Sequence, residues 1–92
     1  MDDTTKILDA FSKYKLDPLL EKTHGVVGGE ARIAGTRLPV WAIIQLRKLG
    51  ASDGEIEIAF ERRITPKELK ACWDYYIKNM CEIDKAIREN EK

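Results

Sequence analysis

A tight turn that leads directly into a helix is the feature that most constrains how this 92-residue chain can fold. Arg32–Ile33 and Arg37–Leu38 form two extended pairs around Ala34–Gly35, where glycine can supply the positive φ of a hairpin turn. Pro39 suits the first position of the following helix, because a helix leaves that backbone N–H without a partner. The segment therefore predicts a small β-hairpin followed by a first helix, Val40 to Leu49.

Two capping boxes mark further helix starts. In this motif a Ser or Thr and a Glu three residues later each accept a hydrogen bond from the other residue's backbone N–H. Gly50 can end the first helix, and Ser52-Asp53-Gly54-Glu55 then predicts a second helix over residues 53–60. Thr65-Pro66-Lys67-Glu68 predicts a third helix from residue 66. Three helices with short connections are typical of a helix-turn-helix unit, whose last helix can enter the major groove of DNA.

The order of the motifs is more specific than any one of them. Over roughly His24 to Tyr76 the chain resembles the family of small bacterial proteins catalogued as domain of unknown function 433. Members of that family are regarded as antitoxins with a homeodomain-like helix-turn-helix fold. The resemblance therefore implies two partners, a PIN-like nuclease toxin and the operator DNA of the chain's own gene. It rests on Gly28–Gly29, Ile33-x-Gly35-Thr36-Arg37, Pro39–Val40, Gly50, Ser52-x-x-Glu55-Ile56 and Ile64–Thr65.

Length and composition favour one domain, residues 1–92, since a chain of this size with 43% hydrophobic residues can bury on the order of 60% of its unfolded surface. We expect an N-terminal helical segment over 1–22, the hairpin and helix-turn-helix over 23–79, and an extension of the last helix over 80–92. No apolar run reaches transmembrane length, and the acidic start Met1-Asp2-Asp3 is unlike a targeting leader. We therefore expect a cytoplasmic protein with no membrane partner.

No pattern indicates catalysis. His24 is the sole histidine, which excludes a multi-histidine metal site, and no HExxH, P-loop or GxGxxG motif occurs. Cys72 and Cys81 lie on roughly opposite sides of a predicted helix, so they neither bridge nor share a metal. We expect no enzyme activity, metal, cofactor or small-molecule substrate.

Basic residues cluster where a helix-turn-helix meets DNA, although the chain as a whole carries no net charge. At ~100° per residue, one side of the third helix carries an apolar stripe that is predicted to face the protein core: Leu69, Cys72, Trp73 and Tyr76. Small and charged side chains lie opposite or beside that stripe. On charge alone these could be solvated surface residues, and their position in the fold favours DNA. The predicted DNA-binding residues are Arg62, Arg63, Thr65, Lys67, Lys70, Ala71, Asp74 and Lys78.

The core-facing residues of the third helix continue beyond a three-helix unit as a heptad pattern through Met80, Ile83 and Ile87. It predicts one long C-terminal helix from Pro66 to Glu91, about 39 Å in length. We expect an N-terminal helix over residues 3–14 to cover the stripe through Ile7, Leu8 and Phe11, from the same chain or an exchanged partner. A short turn of helix around Leu16, Leu19 and Leu20 would close over that contact.

The first helix is apolar on nearly all sides, which predicts that it is buried on nearly all sides and favours a homodimer. The predicted dimer or partner interface comprises Arg32, Arg37, Leu38, Trp41, Ile44, Met80, Ile83 and Ile87.

The chain is thus predicted to be mainly α, with a homeodomain-like helix-turn-helix, a small β-hairpin, an N-terminal helix and a long C-terminal helix. Its predicted function is that of an antitoxin in a type II toxin–antitoxin pair. Two alternatives remain: a helix-turn-helix transcription regulator without a toxin, and an oligomerisation or adaptor module that has lost DNA binding.

Overall fold

A computed structural model of the chain describes residues 16–23 and 30–91. The predicted N-terminal helix with Ile7, Leu8 and Phe11, together with His24 and Gly28–Gly29, lies outside the described residues. The described part is mainly helical with a small two-stranded antiparallel sheet, which confirms the predicted fold class at that level. Its elements are β1 Leu20–Glu21, β2 Arg32–Ile33, α1 Val40–Lys48, α2 Asp53–Glu57, α3 Pro66–Lys78 and α4 Met80–Asn90.

The predicted turn forms, but Arg37–Leu38 is not a strand: Arg32 makes an isolated β-bridge with Pro39, and the strand that pairs with β2 is β1. The Ile33 N–H donates to the Leu38 carbonyl at 2.9 Å, and Gly35 takes a positive φ of 75° at the turn. Pro39 is the residue just before α1, one position earlier than predicted. Gly50, with φ 100°, follows the end of α1 and lets the chain leave the helix.

The second partner of β2 corrects the predicted turn of helix around Leu16, Leu19 and Leu20. Leu20 pairs with Ile33 in β1, because the chain makes a single turn and then becomes extended. The Asp17 carboxylate accepts a hydrogen bond from the Leu19 N–H, and the backbone carbonyl of Asp17 accepts one from the Leu20 N–H, both at 2.8 Å. Asp17 thus accepts the bonds of a single turn, and no helix continues from it, so the three leucines do not share a helix.

Both capping boxes are present, at Ser52 with Glu55 and at Thr65 with Glu68. They start α2 and α3 at the predicted residues. Helix α2 is shorter than predicted and ends at Glu57, because the carbonyl of that residue accepts from the N–H of Ile64 at 3.0 Å. The chain crosses back at this point instead of continuing the helix to residue 60.

Helix α1 lies at the centre of the fold and contacts α2, α3 and α4. Its residues Val40, Ile43 and Ile44 are almost completely buried. The rest of the core comes from every other element: Leu20, Ala31, Ile33, Ile56, Ile64, Ala71, Cys72, Tyr76, Ile83 and Ile87. Burial raises the pKa of the Cys72 thiol to about 12, so this cysteine is a packing residue and stays protonated.

The predicted long C-terminal helix is wrong: the helix breaks at Asn79, and α4 packs against α1. Asn79 has φ −137° and ψ 42°, outside the helical range. Its N–H bonds to the Tyr76 carbonyl, and its side-chain amide donates to the Tyr75 carbonyl at 3.0 Å. The break lets Ile83 and Ile87 enter the core beside α1, which a straight helix would carry away from it.

Three residues of the predicted interface are therefore core residues of a single chain. Ile44, Ile83 and Ile87 are buried among the described elements, so in this closed form they are not on the surface. Periodicity correctly showed that they need cover, and α1 and α4 cover each other. Met80 is 49% exposed and remains on the surface.

We expect Ile83→Ala to lower the free energy of unfolding by about 2–4 kcal/mol, because it opens a cavity between α1 and α4. Met80→Ala removes a half-exposed side chain on the same helix and should cost less than about 1 kcal/mol. Urea unfolding of both variants measures the two values. Equal losses would contradict the packing of α4 on α1.

We also expect Glu68→Gln to cost about 1–2 kcal/mol, although glutamine keeps the capping box. Glu68 is buried and accepts two hydrogen bonds from the Arg62 guanidinium, at 3.0 and 2.6 Å, which the neutral amide cannot match. Glu55 holds the same capping position in α2 but is exposed, and within the described part of the chain its side chain bonds to Ser52 alone. Glu55→Gln is therefore the matched control, with a cost below about 0.5 kcal/mol.

The free energy of unfolding lost in Glu68→Gln should depend on pH. The bonds from Arg62 hold the pKa of Glu68 below its ordinary value of 4.5. The difference between wild type and Glu68→Gln should therefore be complete above that ordinary value and vanish as the pH falls through the lowered pKa of the folded state. A difference that persists in acid would contradict the ion pair.

The outward face of helix α3 as candidate functional site

The position of α3 is fixed at its N-terminus by Thr65, Glu68 and Arg62. The Thr65 hydroxyl accepts from the Glu68 N–H at 3.1 Å, and the Glu68 carboxylate accepts from the Thr65 N–H at 2.9 Å. The same carboxylate holds the guanidinium of Arg62, which raises the pKa of that guanidinium further. The loop before α3 is thus attached to its first turn.

The buried face of α3 differs from the predicted one. Its buried residues are Glu68, Ala71, Cys72 and Tyr76, a face rotated by roughly 75° from the predicted stripe at ~100° per residue. Ala71 was predicted to face DNA and is instead in the core, 3% exposed. Trp73 was predicted in the core and is 40% exposed. The charge of Glu68 predicts a surface position, but its ion pair with Arg62 lets this residue be buried. The buried face of the helix is therefore rotated toward Glu68.

The cations of the predicted DNA site fall into two groups. Arg62 pairs with Glu68, and Lys70 pairs with Asp74 at 2.8 Å. Arg63, Lys67 and Lys78 are exposed, and none has a carboxylate within ion-pair distance among the described residues. The unneutralised charge at the N-terminal end of α3 therefore comes from Arg63 and Lys67.

Exposed apolar residues lie beside this charged face. Trp73 and Ile77 are in the C-terminal half of α3, and Met80 follows at the start of α4, beyond the break at Asn79. They are 40%, 55% and 49% exposed. We call these three residues the apolar stripe. The Arg47 guanidinium lies 5.7 Å from the centroid of the Trp73 ring, a cation–π distance that fixes the ring at the edge of the stripe. Beside it, a cleft of about 220 Å³ opens between the first three helices, with Leu69 on its wall.

The sequence prediction missed Ile77 and Arg47. Ile77 lies four residues after Trp73 and three before Met80, so the spacing was visible once Trp73 is taken as exposed. Arg47 is near Trp73 only because α1 and α3 pack together, and no local pattern in the sequence indicates that contact.

The remaining predicted interface residues lie in or beside the hairpin and in the first turn of α1. Arg32 is buried and donates to the Thr36 carbonyl and the Thr23 hydroxyl at 3.0 and 3.1 Å, so its guanidinium joins segments of its own chain. Leu38 and Trp41 are half-buried, and the Trp41 indole N–H donates to Glu30 at 3.3 Å. Arg37 is exposed.

Neither a metal cluster nor a membrane span was found in the described ranges. No group of three or more His, Cys, Asp or Glu residues within 16–23 and 30–91 lies close enough to hold a metal ion. No helix in those ranges has both the length and the apolar composition to cross a bilayer.

The fold and motifs match known proteins. Residues 20–76 match the family model described as "Protein of unknown function (DUF433)". A DUF433 member protein from Anabaena variabilis ATCC 29413, known from a crystal structure, is 34% identical in sequence to this chain, and the two structures superpose with a TM-score of 0.73. The alignment covers 92% of this chain and 81% of that one. No functionally curated protein matches. The family match spans well over half of the chain, and the chain belongs to the DUF433 family.

Proposed function

We propose that the chain is the antitoxin of a type II toxin–antitoxin pair, which binds a PIN-like nuclease toxin and its own operator DNA. The observation that carries the proposal is the divided outward face of α3. Its N-terminal end presents free cations, and its C-terminal half, together with Met80 at the start of α4, presents the apolar stripe. A protein that binds both DNA and another protein needs these two kinds of surface.

Protein binding is supported by the apolar stripe. Trp73, Ile77 and Met80 are large apolar side chains that remain exposed, and Trp and Met are residue types enriched in interface cores. Trp73 is already held by Arg47, so little side-chain freedom disappears when a partner covers it. We assign the toxin to this half of the face.

DNA binding is supported by the arrangement of α2 and α3, which we interpret as the helix-turn-helix of a homeodomain-like unit. Arg63 and Lys67 lie at the start of its last helix, where such units meet phosphates and base edges. Many helix-turn-helix proteins bind two half-sites as dimers, and we propose a homodimer on DNA. Without DNA binding, the same stripe fits the adaptor alternative.

The toxin contact is tested by Ile77→Glu, with Ile58→Glu as the matched control. Both isoleucines are exposed, at 55% and 69%, and Ile58 lies just after α2, outside the stripe. Each variant is co-expressed with the product of the adjacent open reading frame and the complex is purified through a tag on that product. We expect Ile77→Glu to reduce recovery of the complex at least about tenfold, because a buried charge in an interface core costs several kcal/mol. Equal recovery of both variants contradicts the assignment.

The DNA contact is tested by the double variant Arg63→Ala/Lys67→Ala. Removal of one cation that neutralises a phosphate should lower the slope of log K against log salt by about 0.9, so the double variant should lower it by about 1.8. The probe is DNA from upstream of the chain's own gene, followed by fluorescence anisotropy at several salt concentrations. Lys85→Ala/Arg88→Ala removes two exposed cations from α4 and is the control. An unchanged slope in the α3 variant excludes this end of α3 as the DNA site.

A further inference from the structure

We propose that α4 is an exchangeable element, and that two copies of this chain form a dimer in which each α4 packs on α1 of the other copy. The proposal concerns the chain alone and does not depend on toxin or DNA binding.

The connection between α3 and α4 has the character of a hinge. A single residue, Asn79, separates two helices that span residues 66–78 and 80–90. The junction has neither a proline nor a glycine, two residues that commonly end or kink helices. One change in the backbone angles of Asn79 would convert the pair into one continuous helix of roughly 37 Å.

The sequence already fits the continuous helix. The heptad pattern passes through the break without a change of phase, as Tyr76, Met80, Ile83 and Ile87 show. At the break the backbone lacks the regular bond from the Asn79 N–H to the Tyr75 carbonyl, and the Asn79 side chain replaces it. A continuous helix restores that bond.

The contacts that hold α4 can be supplied by a second copy. The apolar face of α4, Ile83 and Ile87, packs mainly on α1 and much less on α3, to which α4 is joined. Its polar ties are Asp84 with the Lys48 ammonium at 3.1 Å and the Tyr76 hydroxyl at 3.0 Å. Glu82 accepts from the Tyr75 hydroxyl and lies 3.4 Å from the Lys22 ammonium.

All of these interactions can form again between chains when α4 is exchanged. The exchanged dimer therefore keeps the packing of the closed chain and acquires an uninterrupted helix. The entropy lost when two chains associate opposes this gain. Elements joined by a short hinge are the ones that exchange in this way.

The test is a zero-length cross-link between Lys48 and Asp84, formed by a carbodiimide in an equal mixture of normal and heavy-isotope chains refolded together. The size-exclusion dimer fraction is digested and its linked peptides are weighed. In an exchanged dimer, about half of the Lys48–Asp84 links should join a normal to a heavy chain, because partners pair at random. Lys70 and Asp74 lie on one helix in both forms, so their link should join peptides of one isotope only and is the internal control.

Asn79 variants should shift the dimer in opposite directions. Asn79→Ala favours the continuous helix by about threefold per chain, so the dimerisation constant should rise about tenfold. Asn79→Gly disfavours it and should lower that constant severalfold. Asn90→Ala, the same substitution at the far end of α4, is the matched control and should leave the constant unchanged.

Two results would overturn the proposal. The first is a dimer fraction whose Lys48–Asp84 links join chains of one isotope only, which would mean that α4 stays on its own α1. The second is the absence of any dimer in both wild type and Asn79→Ala at millimolar concentration.

Discussion

The burial of helix α1 is the constraint on which the rest of the structure depends. Val40, Ile43 and Ile44 are almost completely buried, and each contributes about 1.5–3 kcal/mol from the apolar surface it removes from water. A helix of nine residues is marginal alone, so its stability comes from what packs around it. The helices α2, α3 and α4 all contact it. Much of the apolar surface of α1 is covered by α4, while Trp41 and Leu46 remain partly exposed.

The packing on α1 also determines which side of α3 faces outward. With Cys72 and Tyr76 turned inward, Trp73 and Ile77 have no place in the core and stay on the surface. The Arg62–Glu68 pair neutralises one cation at the N-terminal end of α3 and fixes the loop before that helix. The proposed function uses what remains: Arg63 and Lys67 for DNA, and the apolar stripe for a protein. In that proposal the cations lie at the N-terminal end of α3 and the apolar stripe spans its C-terminal half and the start of α4, so two partners bind different side chains.

Local signals in the sequence predicted the start of every described helix except α4. Ser52 and Thr65 cap their helices through bonds to residues three positions away, so neighbours alone determine them. The break at Asn79 could not be predicted, because it follows from Ile83 and Ile87 reaching α1, a contact distant in sequence. Strand β1 was misassigned because Leu16, Leu19 and Leu20 have helical spacing, while the turn at Asp17 is fixed by its own side chain. For the candidate site, Arg63 and Lys67 are predicted from charge and position, and both are exposed in the structure. Ala71 and Trp73 were misplaced because the charge of Glu68 predicts a surface position, and its ion pair is not visible in the sequence.

Helix α3, in the function proposed for this chain, carries a DNA-binding end and a separate protein-binding half. The most direct measurement of that division is nuclear magnetic resonance of the isotope-labelled chain during titration with DNA from upstream of its own gene. We expect the backbone amide signals of Arg63, Lys67 and Lys70 to shift, while those of Ile77 and Met80 stay in place. Shifts centred on Ile77 and Met80, or no shift at any residue of α3, would contradict the division.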